Sequence, residues 1–412
     1  MAGGLMQLVA YGAQDVYLTG NPEVTFFQAK YKRHTNFAME NIEQTVNGSP
    51  ANSGRVSVTV ARNGDLVGDM YLELTSAAAD SKVACWVAER AINNVELSIG
   101  GQRIDKHYQK WWRLYSELYL DESKKASWGK MTTAATGKTV YLPLIFFFNR
   151  NPGLYLPLIA LQYHEVRIDI DLASDMETYL AKSIKVWANY MYLDTEERRR
   201  FAQKGHEYLI EQVQHTGTDT VTSAGTKQVR LSYNHPVKEL VWCFSNTVST
   251  ATASQWNFTT DTNNIVVDSN VTAISESNCF VPTSLSGAPM LSVGAAGSTV
   301  DFTEEAVGPL NKFKLILNGQ DRFKEQEGKY FNQVQSYNHH SGSPYPGIYS
   351  YSFALKPEEH QPTGTCNFSR IDNAQVQVVA NTLNDATAMH MFATNYNVLR
   401  IQSGMGGLAF SN

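Results

Sequence analysis

Residues 55–60 read R-V-S-V-T-V, and the side chains in this stretch alternate between polar and apolar. Successive side chains of a β-strand point to opposite faces, so the alternation predicts a strand with one buried face. The same pattern returns at 166–170 (V-R-I-D-I), 229–233 (V-R-L-S-Y) and 375–379 (Q-V-Q-V-V). Short strands of this kind, bounded by Gly, Asn, Asp and Pro, indicate an all-β protein built as a sandwich or jelly roll.

Helical patterns are few, which predicts short helices in the loops between strands. One helix face is marked by apolar residues at the spacing i, i+3, i+4, i+7, namely Trp111, Leu114, Tyr115 and Leu118. A second helix is predicted to begin at Asp194 or Thr195, with Glu197 completing a capping box, and to run through Arg200. We interpret its three consecutive arginines as a solvated helix end rather than a phosphate site.

Two apolar runs, 141–148 and 154–161, are about eight residues long and contain proline. A membrane-spanning helix needs about 20 residues, so both runs are predicted to be buried strands.

The two halves of the chain carry a faint repeat. The stretch E-L-S-I-G-G-Q-R at 96–103 resembles K-L-I-L-N-G-Q-D-R at 314–322. In both copies an aromatic segment follows, at 108–119 and at 330–337, and a strand pair punctuated by proline comes later. Three matches in the same order predict an internal duplication.

The domain organisation follows from this repeat and from composition. We predict an N-terminal arm at 1–22, a first domain at 23–215, a polar linker at 216–227 and a second domain at 228–412. The second domain includes an excursion at 246–300, which has no Lys or Arg and only three acidic residues, Asp261, Asp268 and Glu276. We interpret the excursion as an elaborated surface loop.

Composition and charge exclude several classes of protein. Charged residues make up 18% of the 412 residues and the net charge is −5, which argues against a disordered chain and against a nucleic-acid binder.

The four cysteines, Cys85, Cys243, Cys279 and Cys366, lie far apart. They predict free thiols in a reducing compartment rather than a zinc or redox site. The N-terminus lacks the features of a secretory signal.

Motifs for catalysis are incomplete throughout. Gly137-Lys138-Thr139 lacks the glycine five residues earlier that a phosphate-binding loop needs, and His164-Glu165 and His206-Glu207 lack the second histidine of a zinc peptidase. His339-His340 is interpreted as an exposed turn rather than a metal site. We therefore predict no catalytic, cofactor-binding or metal-binding residues and no enzyme activity.

Four Asn-x-Ser/Thr sequons are candidate glycosylation sites: Asn257, Asn270, Asn367 and Asn47. Asn257 and Asn270 fall in the excursion, where a sugar would be tolerated sterically.

Several long motifs resemble one known family. The stretch 10–22 (A-Y-G-A-Q-D-V-Y-L-T-G-N-P), with T-F-F at 25–27, resembles the N-terminal segment of the major capsid proteins of nucleocytoplasmic large DNA viruses of the algal-virus type. So do 100–107 (G-G-Q-R-I-D-K-H) and 143–165 in the first half. In the second half the matching stretches are 317–323, 351–356 (Y-S-F-A-L-K), 365–373 (T-C-N-F-S-R-I-D-N) and 395–409.

This resemblance implies two consecutive antiparallel eight-stranded jelly rolls in one chain. It also implies a homotrimer that forms a pseudo-hexagonal capsomer in an icosahedral shell, a place in the virion and assembly in the host cytoplasm. The implied partners are neighbouring capsomers, minor capsid proteins and host-surface glycans. DNA would not be contacted directly, and an inner membrane only indirectly.

Two other functions remain open at this point. One is a carbohydrate-binding jelly-roll protein, which would carry a cluster of aromatic and carboxylate side chains on one sheet face. The other is a membrane-shaping scaffold with a double jelly roll.

Overall fold

The computed structural model describes residues 3–79, 81–84, 86–221, 225–245, 256, 258, 309–344, 347–380 and 387–410. The chain forms two compact units, Met1–Phe37 and Ala38–Asn412.

The N-terminal unit contains two short helices, α1 (Gly3–Val9) and α2 (Ala13–Thr19). The Asp15 carboxylate accepts a hydrogen bond from the Gly12 N–H (2.8 Å) at the start of α2. None of the residues of either helix is buried. The sequence predicted that strand structure begins near Glu23, but the first strand begins at Phe37. Phe26 and Phe27 are exposed and lie outside any strand.

The second unit begins with a β-sandwich. Sheet 1 has the strand order β1-β10-β4-β7, with β8 paired to β4, and sheet 2 has the order β2-β3-β9-β5-β6. The strands are β1 (Phe37–Gln44), β2 (Val46–Asn47), β3 (Arg55–Thr59), β4 (Leu66–Ser76), β5 (Ile92–Ile99), β6 (Gln102–Tyr108), β7 (Thr139–Pro143), β8 (Leu156–Pro157), β9 (Val166–Leu172) and β10 (Leu180–Leu193).

A second sandwich follows. Sheet 3 has the order β11-β20-β13-β17, with β18 on β13 and β21 on β20, and sheet 4 has the order β12-β19-β14-β15, with β16 on β14. The strands are β11 (His206–Val221), β12 (Thr226–Leu231), β13 (Pro236–Ser245), β14 (Leu310–Leu317), β15 (Gln320–Asp321), β16 (Gln326–Glu327), β17 (Ile348–Ser352), β18 (Cys366–Asn367), β19 (Ala374–Ala380), β20 (Thr387–Gln402) and β21 (Met405–Leu408).

The two sandwiches share one topology. When eight principal described strands of each half are numbered in chain order, one sheet has the order 1-8-3-6 and the other 2-7-4-5, in both halves. This interleaving of early and late strands is that of a jelly roll, so the chain is a double jelly roll. The duplication predicted from sequence is confirmed at the level of topology.

The alternating stretches form strands as predicted. Val56 and Val58 of β3 are fully buried and pair with Ile170 and Ile168 of β9. Arg55 faces outward and binds Asp171 across the strands at 2.5 Å. Each buried valine or isoleucine contributes about 1.5–3 kcal/mol, so this alternation fixes which face of the strand lies in the core.

Short helices fill the loops. Helix α5 follows the predicted apolar pattern, and α9 begins after Asp194 as predicted. The side chain of Asp194 makes no capping hydrogen bond, but its backbone oxygen accepts one from the Arg198 N–H. The helices are α3 (Ser81–Ala84), α4 (Val87–Arg90), α5 (Gln109–Leu118), α6 (Glu122–Thr132), α7 (Phe147–Arg150), α8 (Met176–Tyr179), α9 (Thr195–Gln203) and α10 (Gln335–His339), with 3-10 turns at Pro152–Leu154 and Phe368–Arg370 and a π-helical turn at Tyr330–Val334.

The two apolar runs are largely buried, but the prediction that they are strands is only partly right. The first run leaves β7 after Pro143 and enters the helical turn α7 at Phe147, and only Leu156–Pro157 of the second run is a strand. Proline lacks the N–H that a strand ladder requires, so these segments are buried as irregular loops. The Asn149 side chain stabilises this arrangement by donating to the Gly68 carbonyl (2.8 Å).

The predicted linker at 216–227 differs from the structure. Strand β11 continues to Val221 and β12 begins at Thr226, so most of this stretch belongs to sheets 3 and 4. Asp219 pairs with Met389 of β20, which shows that a polar, Thr-rich sequence can extend a strand when a partner is available. The segment that connects the sandwiches instead contains α9.

Candidate assembly surfaces and the junction between the sandwiches

The junction between the sandwiches is formed by the outer face of sheet 3 and by helix α5 of the first half. Val241, Ile348 and Phe392 project from that face, away from the core of their own sandwich, and each is at most 1% exposed. The Trp111 ring lies 5.7 Å from the Phe392 ring and the Tyr108 ring lies 6.0 Å from it. The apolar core of the first sandwich therefore extends onto the outer face of sheet 3, while the interior of the second sandwich forms a separate apolar cluster.

A buried ion cluster at the junction is centred on Glu211 of β11. The Glu211 carboxylate contacts Lys238 at 2.8 Å, Arg150 of the first half at 3.0 Å and His360 at 3.5 Å. Burial would raise the pKa of Glu211, but the charges of Lys238 and Arg150 outweigh it and hold that pKa far below its usual value. Because Arg150 lies in α7 and Glu211 in sheet 3, this ion pair links the first sandwich to the second.

A second buried cluster contains His340, which was predicted to lie in an exposed turn. This prediction is wrong, because the His340 side chain is fully buried between Glu239 (3.1 Å) and Glu358 (3.4 Å). Its ring also contacts the Tyr119 ring of the first half at 5.3 Å. Burial by itself lowers the pKa of His340, but the charges of the two glutamates outweigh it and raise that pKa to about 9.

A third cluster lies in the first half beneath helix α5. Arg113 contacts Glu89 (3.4 Å) and Glu117 (3.2 Å), and Lys125 contacts Glu117 (3.5 Å). Lys125 also donates to the Ser343 carbonyl of the second half at 2.9 Å. The clusters thus link the loops of both sandwiches.

The outer face of sheet 1 is the topological counterpart of the buried face of sheet 3, but it is open. A groove of about 550 Å³ runs along it, lined by Tyr71, Tyr141, Trp187 and Met131 among others. Tyr141 is 38% exposed, and its ring meets the Tyr71 ring edge to face at 5.7 Å. Trp187 donates from its indole N–H to Glu73 at 2.7 Å.

The long loops of the second sandwich emerge at one end. Neighbours in sheet 3 are antiparallel, so β11 and β13 end at the edge where β17 and β20 begin. The excursion follows β13 and therefore starts at this loop end. Two described residues of the excursion anchor it: Trp256 is fully buried beneath the Arg90 guanidinium (5.7 Å), and the Lys110 ammonium lies 5.8 Å from the Phe258 ring.

The candidate glycosylation sites are dispersed. Asn47 and Asn367 are exposed at strand ends, and the Asn367 side chain accepts a hydrogen bond from the Ser369 N–H (3.0 Å). Asn257 and Asn270 lie outside the described residues, as do Cys85 and Cys279. Cys243 is buried and Cys366 is half-buried, both as free thiols.

The described part of the chain contains no group of three or more His, Cys, Asp or Glu side chains arranged to hold a metal ion. Within that part, no helix is long and apolar enough to cross a membrane.

Comparison with known families accounts for both sandwiches. The model "Major capsid protein N-terminus" matches residues 25–194, and the model "Large eukaryotic DNA virus major capsid protein" matches residues 197–407. The chain belongs to the major capsid protein family of large eukaryotic DNA viruses.

Individual relatives agree with this assignment over the full length. The capsid protein is 44% identical to the major capsid protein of Paramecium bursaria Chlorella virus 1 and 41% identical to that of Pyramimonas orientalis virus, with 100% of both chains covered in each case. A solved chain of the Paramecium bursaria Chlorella virus 1 capsid superimposes with a TM-score of 0.76 at 38% identity, over 94% of this chain and 100% of that one. The protein is therefore a structural component of the virion capsid and not an enzyme.

Some junction residues of the capsid protein carried a sequence signal that pattern analysis missed. Lys238 and Glu239 are a charged pair inside an otherwise apolar strand, P-V-K-E-L-V-W-C-F. Charges in such a position are buried only when they are paired, so the pair predicts partners elsewhere in the chain. The identity of those partners, Glu211 and His340, depends on contacts between the halves and has no local signal.

Proposed function

We propose that this capsid protein forms a homotrimer whose outline is pseudo-hexagonal, and that these capsomers tile an icosahedral shell. The observation that carries the proposal is that one chain holds two sandwiches of identical strand order, joined through a junction that buries Val241, Ile348 and Phe392. Three such chains place six similar blocks around one axis, and a six-sided block tiles a hexagonal lattice. Many weak contacts between neighbouring capsomers then add to a stable shell.

The loop end of the second sandwich is proposed to face outward, with the excursion at 246–300 above it. A segment without Lys or Arg is unsuited to contacts between capsomers that depend on opposite charges, and its acidic residues would be repelled by packaged DNA. The excursion is thus the part that meets the host surface, and Asn257 or Asn270 is the preferred sugar acceptor of the four sequons.

The N-terminal arm is proposed to lie on the inner side of the capsomer. Its exposed apolar residues, including Leu8 and Tyr17, suit it to dock on a neighbouring capsomer or a minor capsid protein. In this arrangement the protein touches an inner membrane only through other proteins and does not touch DNA. Assembly in the host cytoplasm is consistent with free thiols at Cys243 and Cys366.

Size-exclusion chromatography with light scattering tests the proposal. Purified protein at micromolar concentration should elute at about 138 kDa, three times the chain mass of 45.9 kDa, and electron micrographs should show six-sided blocks. A stable, soluble monomer in both measurements would contradict it.

A further inference from the structure

The two halves of the chain differ most clearly in what covers the outer face of their first sheet. In sheet 3 the outward side chains of the third, sixth and eighth strands, such as Val241, Ser350 and Phe392, are at most 1% exposed because the first sandwich covers them. The corresponding strands of sheet 1 keep one open face, with Tyr71, Tyr141 and Trp187 in contact with solvent. One half therefore has a covered face and the other half an uncovered one.

The first half contributes one segment that covers the outer face of sheet 3. It is the segment between the fifth and sixth strands of the first half, where Tyr108 and Trp111, three residues apart, lie against Phe392. The adjacent Lys110 is buried deeply enough that desolvation lowers its pKa.

The second half has an equivalent segment in the same place in the topology. Tyr330–Val334 and α10 lie between its fifth strand, β15, and its sixth strand, β17. Two large side chains on this segment repeat the spacing of three: Val334 is 42% exposed and Tyr337 is 88% exposed. Val334 and Tyr337 thus present one apolar and one aromatic side chain to solvent on the same segment.

We infer that the outer face of sheet 1 in one copy of the chain receives the Tyr330–His339 segment of a second copy, in the same way that sheet 3 receives α5 within the chain. This inference rests on the proposed trimer and names the surfaces that form it.

Ring geometry supports a second copy as the occupant. The contact within the chain joins two different surfaces, so it is heterologous, and repetition of a heterologous contact closes a ring when the rotation between neighbours divides a full turn. Each chain contains one such contact between its own sandwiches. It also carries two unpaired surfaces, the open face of sheet 1 and the exposed segment, and each of these would pair with a neighbouring chain. In a ring of six sandwiches, three contacts lie within chains and three lie between chains.

The chemistry of the two surfaces is compatible with this pairing. The groove on sheet 1 combines three aromatic side chains with apolar residues such as Met131, and it also contains two carboxylates, Asp69 and Glu73. Glu73 accepts a hydrogen bond from Trp187 (2.7 Å) and pairs with Lys185 (3.6 Å), and Asp69 accepts a hydrogen bond from Asn189. A tyrosine can bury its ring in such a groove while its hydroxyl reaches a polar rim, and aromatic anchors of this kind dominate interface energies.

Two charge substitutions test the inference separately on the two surfaces. Tyr141→Asp changes the groove and Tyr337→Asp changes the segment, and each should raise the concentration at half-assembly by about 30-fold or more. Tyr163→Asp is the matched control, because Tyr163 is 75% exposed and lies on neither surface. Light scattering gives the assembly state, and circular dichroism shows whether each variant is folded.

A cysteine pair keeps the test informative if an aspartate variant fails to fold. A chain carrying both Tyr141→Cys and Tyr337→Cys, treated with a short bismaleimide, should give covalent species up to a trimer and no larger. Either single variant should give only the background of the unmodified chain.

The outcomes separate the two ideas. A wild-type trimer that tolerates Tyr337→Asp, or a cysteine pair without crosslinks, overturns the inference and leaves the trimer standing. Loss of assembly with Tyr141→Asp alone would mean that the groove binds another segment, such as the N-terminal arm, and would also overturn it. A wild-type chain that is monomeric overturns the proposed function itself.

Discussion

His340 is a buried histidine whose protonation adds to the stability of the fold. Its pKa is raised to about 9 by Glu239 and Glu358, against about 6.5 in an unfolded chain. The stabilisation is complete below pH 6.5 and is lost as the pH rises through 9. A shift of this size corresponds to about 3 kcal/mol, so we expect the melting temperature to fall between pH 6.5 and pH 9.5.

The variant His340→Gln should flatten this part of the pH profile and lower stability at pH 7 by about 3–5 kcal/mol, because it leaves the buried Glu239 without a counter-charge. His339→Gln is the control, since His339 is only half-buried and its ring nitrogen makes a hydrogen bond with the Leu355 carbonyl (3.0 Å). Melting curves of both variants across the pH range decide the matter. An unchanged profile in His340→Gln would show that other groups cause the pH dependence.

At the scale of elements, helix α5 joins the two sandwiches through Trp111, which is 3% exposed. Trp111→Ala should create a cavity in the apolar cluster at the junction and cost about 3–5 kcal/mol. Trp187→Ala removes the same side chain from the half-exposed face of sheet 1 and should cost about 1 kcal/mol. Chemical denaturation measures both values, and equal losses would mean that the junction is not part of the cooperative core.

The N-terminal arm is a separate element, and its deletion tests a separate role. Neither α1 nor α2 has a buried residue, so removing residues 2–20 should leave folding and trimers unchanged. The apolar side chains that the arm presents are then absent, and lattice formation should weaken. Micrographs of assembled sheets and light scattering of the capsomer give the two readouts. Loss of folding on deletion would refute this assignment.

Sequence patterns predicted the elements best where local chemistry decides the structure. The alternation at Val56 and Val58 predicted β3, and the spacing from Trp111 predicted α5, because each pattern marks one buried face. Patterns failed where a distant contact decides. His340 is buried by Glu239, about a hundred positions away in the chain, and the Thr-rich stretch at 216–221 is a strand because β20 lies beside it. The prediction that the chain is not an enzyme came from incomplete motifs and agrees with its relatives, but the junction clusters depend on three-dimensional contacts.

At the scale of the whole molecule, the excursion at 246–300 should be the first part of an intact capsid to be cut by a protease. Thermolysin, which cleaves beside apolar residues such as Ile265 and Leu291, should release fragments with ends in this segment. Trypsin is a built-in control, because the segment has no Lys or Arg and cannot be cut by it. Mass spectrometry maps the cuts. Protection of the segment in capsids would place it between capsomers instead.

The covered face of sheet 3 also affects how many association steps are needed to form one capsomer. Six separate single-sandwich subunits would need five encounters to close a ring, whereas three fused chains need two. Each encounter costs translational and rotational freedom, by estimates of about 4–15 kcal/mol, and slows as subunits become dilute. In the proposed trimer, fusion therefore lets rings close at a lower protein concentration than separate sandwiches would need.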